Sequence, residues 1–223
     1  MIAPRENEAT PPSNGHPLVY VLDDDESIRV AVRRIAESIG LEVRAFDAPG
    51  EFFAHLDRAR PACLVLEVHL PEMDGHEVQE RLTAAGFAFP IIMFTAHAEV
   101  PGAVRAMRAG AVDYIQKPFS PEALRGRIQD AAGRAVTMYA ERKQQTAVAE
   151  QLATLSRREN QVLQGLSRGL ANKQIAAQLE LSEKTVEVYR ARLMKKLGVR
   201  TIAELVRIVL AAPPTNEPPP ATA

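Results

Sequence analysis

The feature that most constrains the fold is a series of five short apolar segments, each separated from the next by residues that favour helices. The segments are LVYVL (18–22), LEVRAF (41–46), CLVLEV (63–68), PIIMF (90–94) and VDYI (112–115). Helices are predicted over 27–39, 52–56, 75–85 and 101–109, and a further helix is predicted to begin at Ser120-Pro121. Short apolar strands that alternate with helices favour a parallel sheet covered on both faces. Right-handed crossovers between parallel neighbours then predict a three-layer, doubly wound α/β domain.

Polar side chains stand where four of these strands end. They are Asp23 with Asp24, then Glu67, Thr95 and Lys117. In doubly wound sheets ligands bind beyond the carboxyl ends of the strands, so these groups are expected to converge. Clustered carboxylates without a His or Cys ligand set suit a hard cation such as Mg²⁺, and their negative charge would hold the Lys117 ammonium. A simpler alternative for the first group is an ordinary helix cap formed by Asp25 and Ser27.

The charges of the chain are unevenly distributed. Residues 1–135 hold 20 Asp and Glu against 14 Lys and Arg, whereas residues 136–223 hold 8 acidic and 13 basic groups. An acidic half followed by a basic half predicts two domains with different partners, and nucleic acid is a candidate partner of the second.

The second half contains the pattern of a small helical domain. Four helices are predicted within 155–210. Ser156 with Glu159 has the capping-box pattern at the start of the first helix, and Asn172 and Ser182 are predicted to cap the second and third. Two helices joined by a short turn, the second of them rich in Lys and Arg, predict a helix-turn-helix unit that binds double-stranded DNA.

The third of these helices is expected to enter the major groove. Side chains in its first half are predicted to face base edges, and the basic groups are predicted to neutralise phosphates. The predicted DNA-contacting residues are Lys173, Lys184, Thr185, Glu187, Val188, Arg190, Ala191, Arg192, Lys195 and Lys196. Without the helix-turn-helix spacing, a solvated basic helix would be the preferred interpretation.

Four sequence blocks resemble, in order, the conserved blocks of response-regulator receiver domains, which have the flavodoxin- and CheY-like fold. They are VLDDDESIR, LVLEVHLPEMDG, MFTAH and DYIQKPF. The resemblance implies that Asp23, Asp24, position 67 and the carbonyl of His69 hold Mg²⁺, with position 67 as the phosphoacceptor. It further implies phosphoryl-contacting and switch roles for Thr95, Tyr114 and Lys117, and a cis peptide bond between Lys117 and Pro118.

The basic half resembles the four-helix LuxR-type DNA-binding domain. The blocks are LSRRENQVL, GLANKQIA, LSEKTVEVYRARLMKKLGV and AELVR. One departure is Tyr189, where these proteins commonly have His. Together the two resemblances indicate the FixJ/NarL class of transcription factors, which implies promoter DNA and a cognate histidine kinase as partners, and a homodimer on activation.

These patterns divide the chain into five segments. We expect a disordered N-terminus (1–16), a receiver domain (17–133), a long helical linker (134–153), a LuxR-type domain (154–211) and a disordered tail (212–223). An apolar stripe along the linker is interpreted either as a dimer contact or as a helix face packed on its own domains.

The composition excludes several other classes of protein. No apolar run reaches the roughly 18 residues of a membrane span, and the N-terminal residues lack the apolar region of a secretory signal. Cys63 is the only cysteine, so an intrachain disulfide is not possible. We expect a cytoplasmic protein with no membrane partner.

Glu67 stands where receivers carry an aspartate. The extra methylene moves the carboxylate by about 1.5 Å, and a misplacement of about 1 Å can lower a rate about 10²-fold. Three states remain open: a phosphomimic, a locked or phosphorylation-independent receiver in which Glu67 pairs with Lys117, and a receiver that is still phosphorylated. The sequence also leaves open whether Glu67 is native or replaces an aspartate.

The sequence therefore predicts a DNA-binding transcriptional response regulator and not an enzyme, since the second half lacks a nucleophile–base set. The alternative is a switch-disabled receiver that acts as a protein-interaction adaptor.

Overall fold

The computed structural model describes residues 16–211 and divides into two compact units, with the boundary between Ala140 and Glu141. Residues 1–15 and 212–223, predicted to be disordered, lie outside the described part of the chain. Within residues 16–211, no helix combines the length and the apolar character needed to cross a membrane.

The first unit contains a five-stranded sheet whose adjacent strands all run parallel, as predicted. The strands are β1 (Leu18–Leu22), β2 (Glu42–Phe46), β3 (Ala62–Glu67), β4 (Ile91–Thr95) and β5 (Asp113–Gln116), arranged in the order β2-β1-β3-β4-β5. Every residue of β1, β3 and β4 is buried, whereas the edge strands β2 and β5 are partly exposed. Central strands buried on both faces explain the continuous apolar runs in the sequence.

Five helices accompany these strands. They are α1 (Glu26–Glu37), α2 (Pro49–Ala54), α3 (Gly75–Ala84), α4 (Val100–Arg108) and α5 (Pro121–Ala153). The prediction for α2 was wrong at its start, because the helix begins at Pro49 and not at residue 52. Proline is favourable at the first helical position, where its missing N–H would have no partner.

Two apolar clusters lie on opposite faces of this sheet. Alternate residues of β1 point to opposite sides, so Tyr20 belongs to one cluster while Val19 and Val21 belong to the other. Cys63 is buried in the second cluster, among apolar side chains. Because all strand pairs are parallel, the carboxyl ends of the strands share one edge of the sheet.

The second unit is helical. Its helices are α6 (Arg157–Ser167), α7 (Asn172–Leu179), α8 (Glu183–Lys196) and α9 (Ile202–Ala211), and the end of α5 also belongs to it. Val186, Leu193 and Leu197 are buried in its core. The capping box of Ser156 and Glu159 is confirmed.

The cap predicted at Asn172 was wrong. Asn172 is the first residue of α7, and Ala171 occupies the cap position. The N–H of Ala171 donates to the side chain of Gln174 at 2.8 Å. A side chain inside the helix thus accepts the hydrogen bond of a backbone N–H that has no partner within the helix. The Asn172 side chain instead lies 3.5 Å from Arg190 on α8.

Part of the apolar stripe of the linker segment packs within the unit to which each residue belongs, whereas Val136 and Ala147 are exposed. The Tyr139 hydroxyl donates to the carbonyl of Ala59 at 2.6 Å in the first unit. Leu152 and Leu155 pack against the core of the second unit. These contacts favour the second interpretation of the stripe, a helix face packed on its own domains.

Gly75 lies where α3 begins, close to the end of β3. A Cβ atom at this position would lie 2.3 Å from the carbonyl oxygen of Glu67 and 3.0 Å from the Cα of Val68. The Gly75 N–H donates to the carbonyl of Val68 at 2.7 Å. The close backbone contact therefore holds the position of residue 67 and excludes any side chain at residue 75.

Replacing Gly75 tests this contact. Gly75→Ala is expected to lower the free energy of unfolding by roughly 1–3 kcal/mol, because backbone atoms must shift to admit the methyl group. Gly126→Ala is the matched control: Gly126 is an exposed residue of α5 with nothing within 4 Å of its Cβ position. It should raise stability by roughly 0.5–1 kcal/mol. Urea unfolding followed by circular dichroism measures both, and a neutral Gly75→Ala variant would contradict the close approach.

Candidate receiver site and nucleic-acid interface

The predicted site residues of the first unit lie at the carboxyl edge of the sheet. Asp23 follows β1, Glu67 ends β3, Thr95 ends β4 and Lys117 follows β5. Because β1 pairs with β3, β3 with β4 and β4 with β5, these strand ends are neighbours. The peptide bond between Lys117 and Pro118 is cis, as predicted.

The centre of this site is an ammonium group between two carboxylates. Lys117 Nζ lies 2.7 Å from Asp23 Oδ2 and 2.5 Å from Glu67 Oε2. The other oxygen of each carboxylate accepts a backbone hydrogen bond at 3.0 Å, from Asp25 for Asp23 and from His69 for Glu67. Asp23 is 1% exposed and Glu67 5%, so the two negative charges are almost fully removed from water.

The protonation of this cluster follows from its geometry. Burial alone would lower the pKa of the Lys117 ammonium, but hydrogen bonds to Asp23 and Glu67 outweigh burial and raise it. Burial raises the pKa of Asp23, and the hydrogen bond from Lys117 partly offsets that effect. Lys117 therefore remains positively charged at neutral pH, and its charge favours the ionised form of Asp23.

Thr95 and Tyr114 lie beside this cluster and contact one another: burial raises the pKa of Tyr114, and a hydrogen bond with Thr95 partly offsets that effect. The buried Thr95 hydroxyl donates to the carbonyl of His97 at 3.0 Å and accepts from the His97 N–H at 3.1 Å. The Tyr114 hydroxyl lies 3.2 Å from the position that a Cβ on Gly102 would occupy, beneath α4. The structure thus brings Glu67 to Lys117, while the Thr95 hydroxyl is bonded to backbone.

The predicted Mg²⁺ ligands do not form a converged set. Asp24 is exposed, and within residues 16–211 no group of three or more His, Cys, Asp or Glu side chains is placed to hold a metal ion. The role of the His69 backbone carbonyl stays a prediction. The oxygens of Asp23 and Glu67 that approach one another share the Lys117 ammonium. The carboxylate donors have the chemistry that Mg²⁺ prefers, but their arrangement does not fit the ion.

Sequence reasoning missed one contact at this site. The Arg29 guanidinium donates to the carbonyl oxygen of Asp23 at 2.7 Å. Arg29 lies six residues after Asp23 in the sequence, on the first turn of α1. This short sequence separation was the signal available for predicting the contact. The acidic site therefore contains two cations of the chain itself, Lys117 and Arg29.

In the second unit, α8 presents most of the predicted DNA-contacting side chains to solvent. The exposed ones on α8, besides Lys196, are Lys184, Glu187, Val188, Ala191, Arg192 and Lys195, and Lys173 on α7 is also exposed. Thr185 and Arg190 are half-buried. The Thr185 N–H donates to the Ser182 hydroxyl at 3.1 Å, so Thr185 takes part in the cap of α8. A shallow groove between α7 and α8 is lined by Asn172, Glu187, Arg190, Ala191 and Met194.

Lys196 differs from the other basic residues of α8. Its ammonium lies 2.7 Å from the buried Glu159 carboxylate and 3.3 Å from the carbonyl of Thr154. The hydrogen bond from Lys196, followed by that from the Ser156 N–H, lowers the pKa of Glu159 to about 2. This ion pair ties the end of α8 to the start of α6, and its 37-residue sequence separation left no signal in the spacing.

Comparison with known proteins identifies both units. The first matches the response regulator receiver domain over residues 19–129. The second matches the luxR family of bacterial regulatory proteins over residues 153–209. The chain is 38% identical over 205 residues to the transcriptional regulatory protein FixJ of Bradyrhizobium diazoefficiens, covering 92% of this chain and 99% of that protein.

The chain belongs to the response-regulator family. It is also 40% identical over 191 residues to the response regulator protein TodT of Pseudomonas putida, covering 86% of this chain and 84% of TodT. The solved structure of the response regulator StyR covers 87% of this chain and 98% of its own, with 42% identity and a TM-score of 0.74. This response regulator thus combines a receiver with a LuxR-type helix-turn-helix domain, an organisation that implies DNA and a histidine kinase as partners.

The contacts of α8 predict different effects for two adjacent lysines. Within the described residues Lys195 has no protein partner, so Lys195→Gln should reduce the slope of log affinity against log salt by about 0.9 for one lost phosphate contact. Lys196→Gln should leave that slope nearly unchanged and lower the stability of the second unit. Fluorescence anisotropy with a short DNA duplex measures both variants, and equal slope changes would show that Lys196 also contacts phosphate.

The Glu159–Lys196 pair predicts a pH dependence of stability. The ordinary pKa of a glutamate is 4.5 and the folded protein lowers it to about 2, so the ionised pair stabilises the fold above pH 4.5. This contribution is lost progressively as the pH falls from 4.5 towards 2. The stability difference between the protein and Glu159→Gln, measured by urea unfolding, should shrink over that range. A difference that stays constant there would contradict the assignment.

Proposed function

We propose that this response regulator binds promoter DNA through α8 and that its receiver state is set by Glu67 without phosphoryl transfer. The observation that carries the proposal is the 2.5 Å contact between Glu67 Oε2 and Lys117 Nζ. The Glu67 carboxylate is therefore already paired with Lys117. In this family, the lysine at this position is expected to contact a phosphoryl group.

The geometry of Glu67 supports the loss of phosphorylation. A phosphoacceptor needs one carboxylate oxygen held in line with the donor phosphorus. In Glu67 one oxygen accepts from the His69 N–H and the other contacts Lys117. The extra methylene also moves both oxygens by about 1.5 Å from where an aspartate would hold them. Attack on a phosphodonor is therefore disfavoured by position and by prior contacts.

Two receiver states are compatible with this contact. A phosphomimic would need to reproduce the phosphoryl group, which carries a charge of about −1.5 to −2, whereas a carboxylate carries only one negative charge. The Thr95 hydroxyl is bonded to His97, so the Glu67 carboxylate does not attract it. These contacts favour a phosphorylation-independent receiver over complete mimicry. The contact with Lys117 remains the one observation on the side of mimicry.

Association into a homodimer is the expected route to DNA binding in this class. One face of α4 supports it, because Val100, Val104 and Met107 are 78%, 44% and 49% exposed. Exposed apolar side chains on successive turns of a helix are typical of a protein contact. The proposed dimer would present two copies of α8 to two half-sites of a promoter.

The adaptor alternative makes a different prediction for the second unit. In an adaptor, the exposed basic side chains on α8 and α7 would hold a protein partner instead of DNA. DNA binding that weakens steeply with salt favours the regulator. Absence of such binding, together with capture of a defined protein partner, would favour the adaptor.

Restoring the aspartate tests the role of Glu67. The protein itself should not be modified by acetyl phosphate, whereas Glu67→Asp should gain a phosphoryl group, because the shorter side chain restores the position of the attacking oxygen. Mass spectrometry of the intact chain measures the modification, and sedimentation velocity measures the oligomeric state of the same samples. Glu67→Gln, which lacks the charge and cannot accept a phosphoryl group, is the matched control.

The outcomes separate the states. A protein whose sedimentation does not respond to acetyl phosphate, beside a responsive Glu67→Asp variant, supports the proposal. If the unmodified protein is already dimeric and Glu67→Gln is monomeric, the charge of Glu67 acts as a mimic. Modification of Glu67 at a rate similar to that of the aspartate variant would overturn the proposal.

A further inference from the structure

We infer that the Lys117 ammonium takes the place of a divalent cation in this receiver, so that the acidic site is closed to Mg²⁺. The inference deepens the proposed function, since it concerns the same site, but it has a separate readout. It rests on the contacts of Lys117, on the dispersion of the acidic side chains and on the length of Glu67.

The first support is the way in which the buried carboxylates are already neutralised. Asp23 and Glu67 share one ammonium at 2.7 and 2.5 Å. Their remaining oxygens accept backbone N–H groups at 3.0 Å. Three of the four carboxylate oxygens therefore accept a hydrogen bond from the chain, and the fourth, Glu67 Oε2, is in ion-pair contact with Lys117. A metal ion would have to displace Lys117 or bind directly beside it.

The second support is electrostatic. A divalent ion bound to the oxygens that Lys117 contacts would lie within a few ångströms of that ammonium, in a buried setting where like charges are poorly screened. The Arg29 guanidinium, 2.7 Å from the carbonyl of Asp23, adds a further positive charge on the side of α1. Asp24 is exposed and does not join the buried pair, so a third carboxylate is not available to offset the repulsion.

The third support is the length of the side chain at position 67. An aspartate is shorter by one methylene, about 1.5 Å of reach. With the same backbone, which Gly75 holds in place, an aspartate oxygen would be drawn back from Lys117. The space between the strand ends would then admit a hydrated Mg²⁺, which needs near-octahedral coordination and retains several waters. Glu67 instead extends one methylene farther and keeps its carboxylate in contact with the ammonium.

The test measures Mg²⁺ binding directly, by isothermal titration calorimetry and by the shift of the thermal midpoint with added MgCl₂, both without any phosphodonor. The protein itself is expected to show neither binding heat nor a midpoint shift at millimolar Mg²⁺. Glu67→Asp is expected to bind Mg²⁺ at least about tenfold more tightly and to be stabilised by it through linkage.

A second variant tests the ammonium itself. Lys117→Gln removes the positive charge, so it should gain Mg²⁺ binding even with Glu67 present. If this variant is too unstable for calorimetry, Mn²⁺ binding detected by electron paramagnetic resonance at low temperature supplies the same answer.

The possible results lead to different conclusions. Mg²⁺ binding by the protein as tight as that of Glu67→Asp overturns the inference. Absence of binding in both also overturns it, because closure would then not depend on the added methylene. Failure of the proposed function is distinguishable, because it is measured as covalent modification by acetyl phosphate. A protein that binds Mg²⁺ and stays unmodified contradicts only the inference, whereas one that is modified contradicts the proposed function.

Discussion

The ammonium of Lys117 between the carboxylates of Asp23 and Glu67 is the interaction on which the receiver site depends. Two carboxylates that are 1% and 5% exposed would repel one another and lose their hydration without a cation between them. Removing one partner from a buried ionic cluster typically costs about 3–5 kcal/mol. The sheet makes the cluster possible, because the ends of β1, β3 and β5 bring three residues far apart in sequence to one edge.

The second unit also contains a buried carboxylate that is paired with a lysine, and there the ion pair joins two helices. Glu159 is 4% exposed and pairs with Lys196 while it also completes the capping box of α6. A single carboxylate thus fixes both the start of α6 and the end of α8. The orientation of the recognition helix within its domain depends on this ion pair as well as on apolar packing. In both units, then, a lysine that could have faced a phosphate is held by carboxylates of the protein.

The sequence was sufficient for the parts of the fold that depend on local periodicity. Five apolar runs predicted the strands, and parallel strands necessarily share one carboxyl edge, so the meeting of Glu67 with Lys117 was predictable. Contacts set by side-chain rotamers were not, and Thr95 illustrates this because its hydroxyl could face the site or the nearby backbone. The pairing of Glu159 with Lys196 was also out of reach, since both residues had a sufficient local explanation as a cap and a phosphate contact. The wrong cap at Asn172 has the same origin, because Gln174 performs that role from inside the helix.

The close approach of Gly75 to residue 67 has a consequence for the history of such a receiver. The backbone at residue 67 is restricted, because its carbonyl oxygen would clash with a Cβ atom at residue 75. This contact involves only the backbone of residue 67 and does not restrict the length of its side chain. Aspartate and glutamate codons differ by one nucleotide, so a lineage can exchange one acid for the other without disturbing the sheet. Under the proposed function, one nucleotide change at codon 67 would therefore remove or restore the dependence of the receiver on its kinase, with the backbone contact of Gly75 unchanged.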